Sequence, residues 1–198
     1  MTADALWYAA RGTGVVSLLL LTVVVALGVA TRSGRALPGL PRFAVAAVHR
    51  NAALLAVALL AVHAVTLLLD PYAKLDLVDL VLPFSADYRP LWTGLGTVGL
   101  DLVVALVATS LLRHRLGRRT WRATHWLAYA AWPVALAHGL GSGTDAGAQW
   151  FRAVAALCVL AVGAAVAWRC STQFAEAPRR PARTPTVPSG RSAVEGLR

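Results

Sequence analysis

Apolar positions in this chain follow neither the alternation of a strand nor the one-sided stripe of a surface helix. They come in long runs separated by short polar stretches. A helix that is hydrophobic all round is buried on every side, in a large core or in lipid. A hydrocarbon core of about 30 Å takes roughly 20 helical residues. Five runs reach that length, at Tyr8–Ala30, Phe43–Leu69, Leu91–Leu112, Trp121–Leu140 and Trp150–Trp168. The pattern predicts an all-α fold, an integral membrane helical bundle with five transmembrane helices, within a domain covering residues 1–170. Residues 171–198, rich in Pro, Arg and Ser, hold too little apolar surface to fold and are expected to form a disordered cytoplasmic tail.

The polar punctuation sets the orientation. Arg32, Arg35, Arg42 and Arg50 flank the first connection, and Arg113, Arg115, Arg118, Arg119 and Arg122 fill the third. Arg169, Arg179, Arg180, Arg183, Arg191 and Arg198 follow the last run. The other side carries only Arg11, Lys74, Arg89 and Arg152, beside six aspartates. Basic loops stay in the cytoplasm, so the N-terminus is expected outside and the C-terminus in the cytoplasm. The second connection contains LDLVDLVLPF, which suits a short interfacial helix, and Tyr88 and Trp92 suit an aromatic belt.

Composition agrees with a multi-pass protein of the cytoplasmic membrane. The chain is 58% hydrophobic and 14% charged, against about a quarter charged for a soluble domain. The first run lacks a basic leader and is long enough to span, so it does not read as a cleavable signal peptide. The net charge of +10 is spread over loop ends and the tail, with no separate basic domain to offer a nucleic acid a groove. Only Cys158 and Cys170 are present, which excludes a disulfide framework, a CxxC zinc pattern and a CxxCH haem-attachment site.

Four of the five histidines stand in two of the apolar runs. His49 and His63 lie 14 residues apart in the second, His125 and His138 lie 13 apart in the fourth. At about 1.5 Å per residue, each pair is separated by roughly 20 Å along its helix axis. Both helices start in the cytoplasm, so His49 and His125 share the inner depth and His63 and His138 the outer depth. Zinc needs four ligands converging at about 2 Å, which partners that far apart on one helix cannot supply. A haem needs only two axial ligands on opposite faces. Two b-type haems, one per depth and held without covalent attachment, fit this spacing, and six-coordinate iron suits electron transfer.

Helix phase adds a condition. Fourteen residues return to within about 40° of the starting face, whereas thirteen miss by about 140°. The fourth run therefore has to be locally rewound for both of its histidines to face one partner. Pro133 lies between them, so a departure from regular helix is expected around residues 129–136.

At these residues the sequence resembles the ferric reductase-like transmembrane domain family, which includes the membrane portions of ferric reductases and NADPH oxidases and the haem subunit of the methionine sulfoxide reductase system. The resemblance covers roughly residues 8–170 and rests on the histidine spacings and on WRATHWLAYAAWPVALAHGLGSGTD. The segments LPFSADYRPLWTGLG and LDLVVALVATSLLRHRLG look like those of actinobacterial-type members. It implies a bis-histidine b-type haem at each depth, with His49, His63, His125 and His138 as the iron ligands, and electrons moving from a cytoplasmic or quinol donor to an extracytoplasmic acceptor. Ferric reductases and NADPH oxidases continue into a flavin and nicotinamide domain. Here about 28 residues follow the last run, and no GxGxxG occurs among them. The expected donor is a separate flavoprotein, a quinol or a soluble carrier, and whether the chain is an enzyme in its own right stays open.

Other residues are candidates for further roles. Arg50 and Arg122 sit next to the inner histidines, where arginine could bind haem propionates or serve as a plain positive-inside anchor. Asp101, acidic in the middle of the third run, could orient an imidazole, relay protons or bond a Ser/Thr on a neighbouring helix, the last being the expectation. Trp126, Tyr129 and Trp132 are expected in core packing rather than on a porphyrin face. Gly12, Gly14, Gly96, Gly99, Gly139 and Gly141 could admit a macrocycle or a close helix contact. His114 is expected to be a solvated interface residue. The competing functions are a quinol-oxidising cytochrome b subunit of a larger complex and a haem-free membrane scaffold or transporter.

Overall fold

The computed structural model describes residues 3–34, 36–37, 39–143 and 145–174. In chain order it contains α1 (Ala3–Ser33), α2 (Arg42–Leu69), a short 3-10 turn (Leu77–Leu80), α3 (Pro90–Leu111), α4 (Arg113–His125), α5 (Leu127–Ser142) and α6 (Gln149–Cys170). Among the described residues the only β-type pairing is an isolated bridge between Leu37 and Leu40 in the first connection. The tail expected at 171–198 lies outside the described residues from position 175 on.

Helices α1, α2, α3 and α6 are long and apolar enough to cross a membrane. Their ends fall within a few residues of the sequence-predicted runs, and α1 and α6 reach beyond them at both ends, because hydropathy fades before hydrogen bonding does. Helix α3 begins at Pro90, whose missing N–H costs nothing in a first turn. The 3-10 turn is closed by a capping box in which Asp76 and Asp79 each accept the other's backbone N–H; the interfacial helix expected there is only this one turn.

The fourth predicted span differs from expectation. No single helix runs from Trp121 to Leu140; α4 ends at His125, Trp126 forms a turn, and α5 begins at Leu127. Two short-range bonds mark the tightening, Trp126 N–H to the Ala123 carbonyl at 3.2 Å and Tyr129 N–H to the Trp126 carbonyl at 3.0 Å. The departure from regular helix therefore falls at Trp126 and not at 129–136, and Pro133 is carried inside α5. At 16 residues, α5 is about 24 Å long, shorter than a hydrocarbon core. The arginine-rich connection expected as a loop is itself helical in α4, interrupted at Gly117, whose φ of 72° lies in the left-handed region that glycine adopts without strain.

Helix α1 is the hub, packed on α2, α5 and α6, while α3 packs along α5 and against α4. Leu18 and Val25 of α1, Trp132 of α5, and Cys158 and Val162 of α6 form the core cluster. Their separations of seven and four residues place each set on one helix face. The Trp132 indole N–H donates to the Thr22 hydroxyl at 2.8 Å, and that hydroxyl donates to the Leu18 carbonyl at 2.9 Å. A polar group inside an apolar bundle has to be satisfied internally, and this chain of bonds does so. Leu54, Leu55, Leu157 and Leu160 point outward, as suits a surface solvated by lipid.

Candidate functional site

The four histidines come together in two pairs, in the same order along α2 and along the α4–α5 segment. His63 and His138 face each other with ring centres 6.3 Å apart and planes at 81°. His49 lies close enough to His125 for the two to interact electrostatically, with Arg32 also in range.

Three of the rings are each held by a backbone carbonyl of another helix. His63 Nδ1 donates to the Ala10 carbonyl of α1 at 2.7 Å, His138 Nδ1 to the Trp92 carbonyl of α3 at 2.8 Å, and His49 Nδ1 to the Val24 carbonyl of α1 at 3.0 Å. A carbonyl can only accept, so in each ring the proton must be on Nδ1. A neutral imidazole held this way has its lone pair on Nε2, the arrangement that metal-ligating histidines use. His125 is different. Its Nδ1 is buried without a hydrogen-bond partner among the described residues, and its ring stacks on Trp121 at 4.9 Å and 25°. The Trp121 indole nitrogen is likewise buried and unpartnered.

The donor set fits a haem better than a multi-ligand metal. No group of three or more His, Cys, Asp or Glu side chains that could hold a metal ion occurs among the described residues. Two imidazoles binding one metal from opposite sides, each at about 2 Å, have ring centres about 6 Å apart, and the 6.3 Å separation of His63 and His138 matches that. Their level opens on an apolar cavity between α1, α2, α3 and α5, lined among others by Leu60, Gly96, Leu100, Ala131 and Ala135. The space in it open to a water-sized sphere is about 90 Å³.

The remaining candidates separate. Arg50 is exposed and Arg122 half-buried, and among the described residues neither makes a hydrogen bond or ion pair that would single it out from a membrane anchor. Asp101 is exposed on the outward side of α3 and bonds no Ser or Thr of a neighbouring helix among the described residues, which corrects the expectation for it. The middle of an apolar run is not always its buried face. Trp132 is core, Tyr129 packs against that core, and Trp126 is half-exposed beneath the Arg169 guanidinium at 5.1 Å. His114 is exposed and accepts from Arg113 Nε at 3.3 Å.

Of the candidate glycines, Gly12 faces open space, Gly99 faces Val134, Gly139 faces Phe151 and Gly141 seats the Trp92 indole, whereas Gly14 and Gly96 lie against the rings of His63 and His138. Gly28 lies against His49 in the same way. Sequence reasoning passed over it, although the 14-residue step from Gly14 to Gly28 repeats the step from His49 to His63.

Outside the membrane segments, Asp79 accepts from the Ser85 hydroxyl at 2.6 Å and from the Asp76 N–H at 2.9 Å. These bonds, the Ser85 one foremost, hold its carboxyl below the usual carboxylate range. The Asp79 carbonyl in turn accepts from the Thr97 hydroxyl at 2.6 Å, tying the 3-10 turn to α3 at the rim of the cavity.

A family model described as ferric reductase like transmembrane component matches residues 13–136. The match takes in His49, His63 and His125 and stops just short of His138. No curated protein and no solved structure matches. With most of its length matched and four helices fit to cross a bilayer, the chain is a multi-pass membrane protein and belongs to the ferric reductase-like transmembrane family, a group of membrane oxidoreductase domains.

Proposed function

We propose that the protein carries electrons across the cytoplasmic membrane through two b-type haems, one held by His63 and His138 and the other by His49 and His125. The observation that carries this reading is the His63–His138 pair, two imidazoles 6.3 Å apart whose Nδ1 atoms are both committed to carbonyls. Bound haem would supply a one-electron carrier at each level. The protein's own part is to present Nε2 lone pairs, to hold the rings against rotation, and to line the His63–His138 level with apolar side chains that exclude water.

In this reading α5 is a fifth, shorter crossing, its length made up by the turn at Trp126 and the end of α4. The N-terminus is outside, and the arginines of α4 and of the first connection are in the cytoplasm. His49 and His125 then form the inner site, receiving electrons from a separate flavoprotein or quinol, and His63 and His138 form the outer site, facing an extracytoplasmic acceptor. Arg50 and Arg122, beside the inner ligands, are the side chains placed to meet propionates there.

The test is a reduced-minus-oxidised spectrum with haem stoichiometry on the purified protein and on each His→Ala variant. Two haems in the wild type are expected, with one lost in His63→Ala or His138→Ala and the other lost in His49→Ala or His125→Ala. A colourless wild type, or variants that lose haem in any other grouping, overturns the proposal.

A further inference from the structure

Three of the four histidines are seated by one repeated arrangement. His63 bonds the Ala10 carbonyl and its ring lies over Gly14; His49 bonds the Val24 carbonyl and lies over Gly28; His138 bonds the Trp92 carbonyl and lies over Gly96. In every case the glycine stands four residues after the accepting carbonyl. That spacing has a physical reason. In an α-helix the carbonyl of residue i points along the axis toward the N–H of residue i+4, which occupies one lone pair. A second donor reaching the other lone pair from a neighbouring helix has to pass over residue i+4, where any side chain obstructs it.

The obstruction is measurable. A Cβ on Gly96 would stand 2.6 Å from His138 Cε1, one on Gly14 3.0 Å from His63 Cε1, and one on Gly28 3.4 Å from His49 Cε1. The first cannot be accommodated without moving the ring, the second requires it to give by tenths of an ångström, and the third is at the edge of ordinary contact. By contrast, a Cβ on Gly12 or Gly163 would meet nothing within 4 Å.

We propose that Gly14, Gly28 and Gly96 are positioning residues for the haem ligands: each is a notch that lets an imidazole of the facing helix reach a backbone carbonyl, which fixes the proton on Nδ1 and aims Nε2 at the iron. The inference rests on the haem reading above and adds to it which residues set ligand orientation. The two notches of α1 repeat at 14 residues because the two histidines of the antiparallel α2 do. Counting the same step along α3 from Gly96 arrives at Ser110, so the pattern is not continued there.

The experiment compares holo-protein carrying Gly14→Ala, Gly28→Ala or Gly96→Ala with Gly12→Ala and Gly163→Ala as controls. The readouts are haem retention, the midpoint potential of each haem and its low-spin paramagnetic resonance signal. Gly96→Ala and Gly14→Ala are expected to disturb only the haem that His63→Ala removes, and Gly28→Ala only the other. The effects rank Gly96, Gly14, Gly28, with haem loss from Gly96→Ala faster by about tenfold or more, the scale of losing a ligand's outer hydrogen bond. If Gly96→Ala does not fold, the milder contact at Gly14 reads the same haem. Glycines needed only for helix packing would lower the melting temperature and leave potentials and resonance signals unchanged; that result, or equal shifts in the Gly12 control, overturns the inference. A wild type without haem overturns the functional reading itself, and shows before any variant is made.

Discussion

The two histidine levels are built from the same residue types and are held very differently. At the His63–His138 level both rings are tied to carbonyls of neighbouring helices and each lies against a glycine. At the other level only His49 is tied in this way; His125 is the last residue of α4, stacked on Trp121, with its Nδ1 unpartnered among the described residues. The difference has a local cause. His138 sits well inside α5, with α3 alongside it, whereas His125 is the last residue of α4 before the turn at Trp126. A ligand inside a packed helix inherits a rigid frame, and one at a helix end depends on its ring neighbours. One histidine pair is fixed at both rings, and the other at one.

The sharpest way to break this comparison is to remove one imidazole from each level. His138→Ala and His125→Ala should each cost one haem, read as stoichiometry. In the wild type, the haem of the His49–His125 level should transfer to a competing apo-globin about 10-fold or more faster, since it lacks one of the two outer hydrogen bonds. The same bonds make an imidazole a stronger donor, which favours ferric iron. A redox titration should therefore assign the lower-potential step to the His63–His138 haem, and the opposite assignment would show that the carbonyl bonds do not set the difference.

Trp121 comes next. Trp121→Leu removes the ring on which His125 stacks and should change the resonance signal of the His49–His125 haem alone, with the other haem serving as the internal reference. Trp132→Phe is a smaller and different change. It deletes the indole N–H bonded to Thr22 within the core and should cost about 1 kcal/mol, seen as a lower melting temperature with both haem signals intact. Altered potentials in that variant would mean that the core and the ligands are coupled.

The smallest effect concerns the rim of the better-held level. The Asp79 carboxylate, held below its usual range by the Ser85 hydroxyl, stabilises the turn wherever it is ionised in the folded protein. Its contribution is complete above the ordinary carboxylate range near pH 4 and declines as pH falls through the lowered folded value. Ser85→Ala should move that decline to higher pH, as followed by a thermal melt at each pH between about 3 and 6. An unchanged profile would mean that the Ser85 bond contributes nothing.

Several of these features were open to sequence reasoning. Run lengths announced helices fit for a bilayer, and the steps from His49 to His63 and from His125 to His138 announced two levels. Others were hidden by the locality of the signals. Pro133 suggested the wrong place for the break, because a proline removes one bond that a well-packed helix can do without, while Trp126 carries no breaker signal at all. Asp101 lies mid-run and was expected to bond inward, but hydropathy does not say which way a helix is turned. The α4 segment read as a loop because its arginines hide a helical backbone.

The order of residues by itself determined that this chain forms apolar helices and that its histidines recur at steps of 14 and 13 residues, since length and period are properties of a single helix. Tertiary structure alone decided which carbonyls receive the imidazoles, that Gly28 belongs with Gly14 and Gly96, and that among the described residues His125 is left without such a seat. Those outcomes depend on the crossing point and rotation of one helix against another, which arise only when all of the helices pack together.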